Sequence, residues 1–156
     1  MSVSTRTSIG ILDRLEIESA IHRLLSTYVH LLDDGKFDEV AELLQHAEMG
    51  IPGTTGKGRE GIEQLMINGV QKHADGTPRT WHSLSNVLID IDEDGRRADS
   101  VSYFTVHQQV EGLPLQPICT GRYVDEFEII GGNWAFVKRV VEPRLFGELR
   151  FHVVQS

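Results

Sequence analysis

The chain opens with helical spacing and closes with strand spacing. From Ile9 to about Leu32 the apolar residues Ile17, Ile21, Leu24, Leu25, Tyr28 and Leu32 recur at steps of three and four, which is one face of an α-helix. Asp33-Asp34-Gly35 ends that run, with the glycine suited to a left-handed cap. Phe37, Val40, Ala41 and Leu44 mark a short second helix whose start Asp34 or Asp38 would cap. The stretch MGIPGTTGKGREG over 49–61 reads as a turn-rich loop. It is not a phosphate-binding loop, because that motif needs Gly where Ile51 stands and Ser or Thr where Gly58 stands. Ile62, Leu65, Met66 and Val70 then share one face of a third helix.

After ADGTPRT the period changes to two. Four strands are expected, Trp81 to Ile91, Ala98 to Val110, Ile118 to Ile129 and Trp134 to Val141, separated by the turns DEDGRR, EGLPLQP and IGGN. Helices followed by consecutive strands predict an α+β fold, with about three helices on a mostly antiparallel sheet. Strands this long twist and curl, and a curled sheet closed by helices makes a cone around a pocket.

Length adds that 156 residues suit one domain, here 9–156, after a polar tail over 1–8. A formal charge of −8 argues against nucleic acid and anionic membrane as partners. The single Cys119 makes no intrachain disulfide, which favours a reducing compartment. With no apolar leader and no run long enough to span a bilayer, the expected location is cytoplasmic.

Two adjacent carboxylates at the end of a helix are an unfavourable choice, since the helix dipole is negative there. Either Asp33 and Asp34 belong to a solvated turn, or one of them faces a cavity. Strand parity supplies candidate companions. His82, Leu84, Asn86 and Leu88 share one face of the first strand; Val101, Tyr103, Thr105 and His107 share one of the second. Cys119, Gly121, Tyr123, Asp125 and Phe127 share a face of the third. A plain core would leave His82, Asn86, His107 and Asp125 in need of partners, whereas an apolar cavity with convergent polar groups would use them. The opposite faces are apolar as well, which points to helices on one side and a partner subunit on the other. His22, His30, His46 and His73 read as solvated helix residues, and His152 as part of the C-terminal tail.

YVHLLDDGKFDEV, GREGI, TWHSLSN and GRYVDEFEIIGGNWAFVKR together resemble the SnoaL-like branch of the nuclear transport factor 2-like superfamily. The pattern is most similar to scytalone dehydratase and bile-acid 7-alpha-dehydratase. The resemblance implies an Asp–His pair at Asp33 and His82, a tyrosine at Tyr28, a second acid–base residue at His107 and a substrate-binding Arg144. It also implies no cofactor and no metal, and a homo-oligomer, a trimer before a dimer. Leu32 stands where scytalone dehydratase has Tyr, so the same substrate is not implied. In such a pair the histidine acts as general base while the carboxylate fixes its tautomer and stabilises the imidazolium. Leu84, Asn86, Tyr103, Tyr123 and Phe127 would line a site for a small apolar, ring-containing molecule of aromatic, polyketide or steroid type. The function expected is a cofactor-independent lyase or isomerase. The alternative is a non-catalytic binding or assembly domain resembling the small subunit of ring-hydroxylating dioxygenases. A third reading, His82, His107 and Asp33 as metal ligands, has no short-spaced ligand motif behind it.

Overall fold

The computed structural model describes residues 9–155, so the expected tail over 1–8 lies outside the described residues. Three helices and six strands follow in the order α1 (Ile11–Asp33), α2 (Phe37–Leu43), β1 (Glu48–Ile51), β2 (Thr54–Lys57), α3 (Gly58–Gly69), β3 (Thr80–Ile91), β4 (Arg97–Val110), β5 (Leu113–Ile130) and β6 (Asn133–Phe146). The strands form one sheet in the order β2-β1-β6-β5-β4-β3. Neighbours are antiparallel except β1 and β6, which run parallel. This is the α+β cone expected from the switch of period, with a cystatin-like, mixed and curved sheet.

The first helix buries Ile17, Ile21, Leu25, Tyr28 and Leu32 of the stripe read from the sequence, and Val29 beside it, while Leu24 is only partly buried. Each fully buried Leu or Ile side chain contributes about 1.5–3 kcal/mol. The helix ends in a Schellman arrangement: Lys36 N–H reaches the Leu31 carbonyl at 2.9 Å and Gly35 N–H the Leu32 carbonyl at 3.0 Å. Gly35 has φ 71°, the left-handed value this motif requires. A Cβ on Gly35 would overlap the Gly76 carbonyl, so the helix end lies directly on the turn that feeds β3. Neither Asp34 nor Asp38 caps α2. The N-cap is Lys36, with no side-chain bond, and Asp34 is the C-cap of α1. Asp38 sits in the first turn of α2, where its charge suits the positive end of the helix.

The loop expected over 49–61 is instead a hairpin, β1 and β2 around Pro52-Gly53. Glycines at 50 and 56 hide the strand pattern, but Gly56 has a packing reason: a Cβ there would meet the Gly61 backbone at the start of α3. β5 begins five residues before the expected start and β6 runs five beyond its expected end. Past β6 the chain folds back across the open end of the cone. Gly147 N–H bonds the Ile118 carbonyl at 2.8 Å, Gln71 N–H bonds the His152 carbonyl at 2.8 Å, and Val153 bridges to Val70. The Phe151 carbonyl accepts from His73 Nε2 at 2.9 Å and Gln108 Nε2 at 3.0 Å. His73 is therefore a clasp for this segment and not a solvated residue. Among the described residues, no helix is long and apolar enough to cross a membrane.

Candidate functional site: an Asp–His pair on an apolar cavity

Register decides which side chains meet inside the cone. Directly opposed residues share a face. His82 lies opposite Val106 and Leu84 opposite Phe104. Across β4 and β5, Val106 lies opposite Cys119, Ser102 opposite Tyr123 and Ser100 opposite Asp125. Asp125 in turn lies opposite Arg139 on β6. The inner face of β4 is thus Ser100, Ser102, Phe104, Val106 and Gln108, all buried.

His107 and Tyr103 fall on the other face, which corrects the set read from β4. His107 lies opposite Trp81, in a shallow outer groove with Arg79 and Leu115. Tyr103 is exposed and takes a bond from Arg122 at 3.2 Å. Asn86 is displaced as well. A bulge between Ser85 and Leu88 puts Asn86 at φ 52° and breaks the parity of β3, so Asn86 and Leu88 are exposed. Arg144 is exposed on β6 beyond a register shift and does not line the cavity. Phe127 is core, packed on Phe136 with ring centroids 4.7 Å apart, and Leu84 packs partly buried against that core. Tyr28 and Tyr123 do line the cavity.

Asp33 is the inward carboxylate and Asp34 the exposed turn residue. Asp33 Oδ1 accepts from Thr80 Oγ1 at 2.7 Å and meets His82 Nδ1 at 2.5 Å. Its Oδ2 accepts the His82 backbone N–H at 2.8 Å. Three donors at a helix C-terminus offset the unfavourable dipole, worth about 0.3–1 kcal/mol. Burial pushes the Asp33 carboxyl up, but the bonds from the His82 ring, the His82 backbone and Thr80 outweigh it and hold the group below the usual carboxylate range. An ionised acceptor on Nδ1 puts the ring proton there and leaves Nε2 bare. The His82 side chain is only 4 % exposed and forms part of the cavity wall.

The cavity has a volume of about 310 Å³ and is mainly apolar, with Leu32, Met49, Leu65, Met66, Phe104, Val106 and Val141 among its lining residues. Its polar side chains are His82, Tyr28, Tyr123, Cys119 and His152. Burial raises the Tyr28 and Tyr123 hydroxyls against the pull of Arg139, so both are protonated at neutral pH. Burial also pushes the Cys119 thiol up.

Behind the tyrosines lies a group that strand parity only half revealed. Arg139 is fully buried and pairs bidentately with Asp125 at 2.7 and 2.8 Å. Its guanidinium lies 4.1 Å from the ring centroids of both Tyr28 and Tyr123. The Asp125 carboxylate beside it keeps Arg139 protonated in spite of burial. Asp125 on the inner face of β5 was the available signal, since a buried carboxylate needs a cation. His152 was missed because nothing in its local sequence places the C-terminal segment over the cavity. Among the described residues no cluster of three His, Cys, Asp or Glu could hold a metal, and His107 is on the wrong face to complete one with His82 and Asp33.

A curved-sheet cone with a buried carboxylate–imidazole pair at an apolar cavity defines the class. The sequence profile of the SnoaL-like domain matches residues 13–140, and the chain belongs to that family. No curated protein sequence matches it. Among solved structures it is similar to the type-3 hexachlorocyclohexane dehydrochlorinase LinA of Novosphingobium barchaimii, at 26 % identity over 88 % of this chain and 93 % of that one, with a TM-score of 0.71. A provisionally named scytalone dehydratase of Novosphingobium aromaticivorans shares the fold at 22 % identity over 85 % and 87 %, with a TM-score of 0.68. So does a nuclear transport factor 2-like protein with a cystatin-like fold from the same species, at 23 % identity over 83 % of each chain and a TM-score of 0.67.

Proposed function

We propose that the protein is a cofactor-independent lyase or isomerase that acts on a small apolar, ring-containing molecule. His82 is its general base. The observation that carries this reading is the 2.5 Å contact of Asp33 with Nδ1 of His82, a residue that lines the cavity, which leaves Nε2 without a proton. His82 Nε2 takes a proton from a carbon of the bound ring, and Asp33 stabilises the imidazolium that results. The electron pair released either expels a group from the adjacent carbon or is reprotonated elsewhere. Tyr28, which lines the cavity and is held protonated, is the proposed donor to a departing group. The buried Arg139–Asp125 ion pair turns its guanidinium end to the rings of Tyr28 and Tyr123, and that local dipole favours negative charge developing in front of them. The names of the relatives, a dehydrochlorinase and a dehydratase, fit an elimination of this kind.

The test is elimination from cyclic β-hydroxyketones and chlorinated rings small enough for the cavity. Wild-type protein should release water or chloride with some of them, and His82→Ala should not. Equal rates in both would overturn the assignment.

The outer sheet face carries Trp81, Leu88 and Leu145 at 71, 70 and 71 % exposure. Such a face suits contact with further copies of the chain, and the proposed assembly is a homo-oligomer, a trimer before a dimer.

A further inference from the structure

His152 is a second imidazole on the cavity that the proton abstraction above does not use. It lies on the segment that folds back over the cone, and three contacts fix its place. Its carbonyl accepts from Gln71, its N–H bonds the Leu149 carbonyl at 2.9 Å, and the neighbouring Phe151 carbonyl is held by His73 and Gln108. The side chain lines the same cavity as His82. Its Nδ1 is buried without a hydrogen-bond partner. Nε2 is not among the buried orphan atoms, and no protein group bonds it among the described residues.

Those two facts favour one tautomer. A buried N–H without an acceptor is rarer and costlier than a buried bare lone pair. The one ring proton of a neutral imidazole therefore belongs on Nε2, and Nδ1 is the bare nitrogen. Burial, together with the charge His82 acquires, lowers the His152 pKa to about 4, with Asp33 pulling the other way and His73 adding to the depression. The ring is neutral when His82 works, so it is a hydrogen-bond donor and not an acid.

We propose that His152 Nε2–H donates a hydrogen bond to an oxygen of the ligand, and that the ligand is a neutral ring ketone whose acidic carbon adjoins that carbonyl. The proposal rests on the His82–Asp33 reading for its chemistry but not for its geometry. His82 Nε2 takes the proton from the carbon next to the carbonyl. The C–H electron pair becomes the new carbon–carbon double bond, and the carbonyl π pair moves onto oxygen, where His152 meets it. No electron acceptor or co-reactant is needed. The His82 imidazolium then gives its proton back, either to another carbon of the enolate, which completes an isomerisation, or to a β-hydroxyl that the enolate expels and that leaves as water. A neutral imidazole suits this task, because an imidazolium close to His82 would disfavour the charge His82 must take up. The resting ligand is neutral, because among the described residues no cation lines the cavity, with Arg139 buried against Asp125 and Arg144 facing outward; its oxygen becomes anionic only as the enolate forms against His152.

4-Nitrophenolate is a suitable probe, being a planar ring with an oxyanion like that of an enolate; nitrobenzene is its counterpart without the phenolate oxygen. The wild-type protein should bind the phenolate with a shift in its absorbance. His152→Phe should weaken phenolate binding about tenfold or more, the worth of one hydrogen bond to a charged acceptor, with nitrobenzene affinity held. His152→Gln, which keeps an N–H donor, should recover most of the loss. Nitrogen-15 spectra of wild-type protein should show His152 protonated on Nε2 and bare on Nδ1, with the Nε2 proton moving downfield when the phenolate binds. A proton on Nδ1, an unmoved resonance, no phenolate binding by the wild type, or equal phenolate affinity in His152→Phe would each overturn the proposal. Failure of the base is read separately. If His82→Ala keeps full elimination activity while phenolate binding still depends on His152, the dyad falls and the His152 contact stands.

Discussion

At residue scale the molecule turns on one carboxylate in an unfavourable place. Asp33 closes a helix whose dipole opposes it, and it is retained by three donors, two of them from His82. His82→Ala should lower turnover by about two to four orders of magnitude, the usual contribution of a positioned general base. Asp33→Asn keeps the shape but reverses the preferred ring tautomer, so its loss should be comparable and should fall on kcat more than on KM. Asp33 also ties stability to pH. Its folded-state pKa is depressed, so its contribution is fully present above the unfolded value, about 3.9, and is lost as pH falls through the folded one. Acid titration should show the stability gap between wild type and Asp33→Asn narrowing below about pH 4. A gap that widened on acidification would contradict that coupling. The facing of Asp33 and its partner His82 was legible through the resemblance, which chose between the two readings that the residues left open for the Asp33-Asp34 turn. Asn86 and Tyr103 were not placed correctly because parity alone does not say which face of a strand is inner, and the resemblance that supplied His107 and Arg144 does not fix their facing either. The bulge at Asn86 and the register shifts in β5–β6 change the parity within a strand.

At element scale two contacts hold the site's walls in register. Gly35 sets the end of α1 against the turn before β3, and this brings Asp33 to His82. Gly35→Ala combines a left-handed φ with a backbone overlap. It should destabilise the fold by about 1–3 kcal/mol in thermal melting and disturb the His82 ring resonance as well. The second contact is the Asp125–Arg139 pair between β5 and β6, both side chains fully buried. Asp125→Ala leaves a guanidinium in the core without its partner and should cost about 3–5 kcal/mol in denaturant unfolding. The four long strands and the two longer helices were readable because each carries enough residues for its period to show, even where a bulge interrupts a strand; the seven-residue α2 was readable from Phe37, Val40, Ala41 and Leu44 on one face. The hairpin of β1 and β2 was not, since four-residue strands rich in glycine carry no period. Its place is set by pairing with β6, a contact remote in sequence.

At the scale of the whole molecule, the cone has one face turned to the cavity and one carrying exposed Trp81, Leu88 and Leu145. If copies associate through the outer face, light scattering should show an oligomer at micromolar concentration, and Leu88→Lys should shift it toward monomer. A stable wild-type monomer would contradict the assembly. The function proposed for the inner face is one event: removal of a carbon-bound proton by His82 with Asp33 behind it. The most direct measurement is solvent-deuterium incorporation into ring ketones shown by calorimetry to bind. The account predicts exchange catalysed by wild-type protein and lowered about a hundredfold or more in both His82→Ala and Asp33→Asn. Exchange at the wild-type rate in His82→Ala, or none in the wild type with a ketone bound, would contradict it.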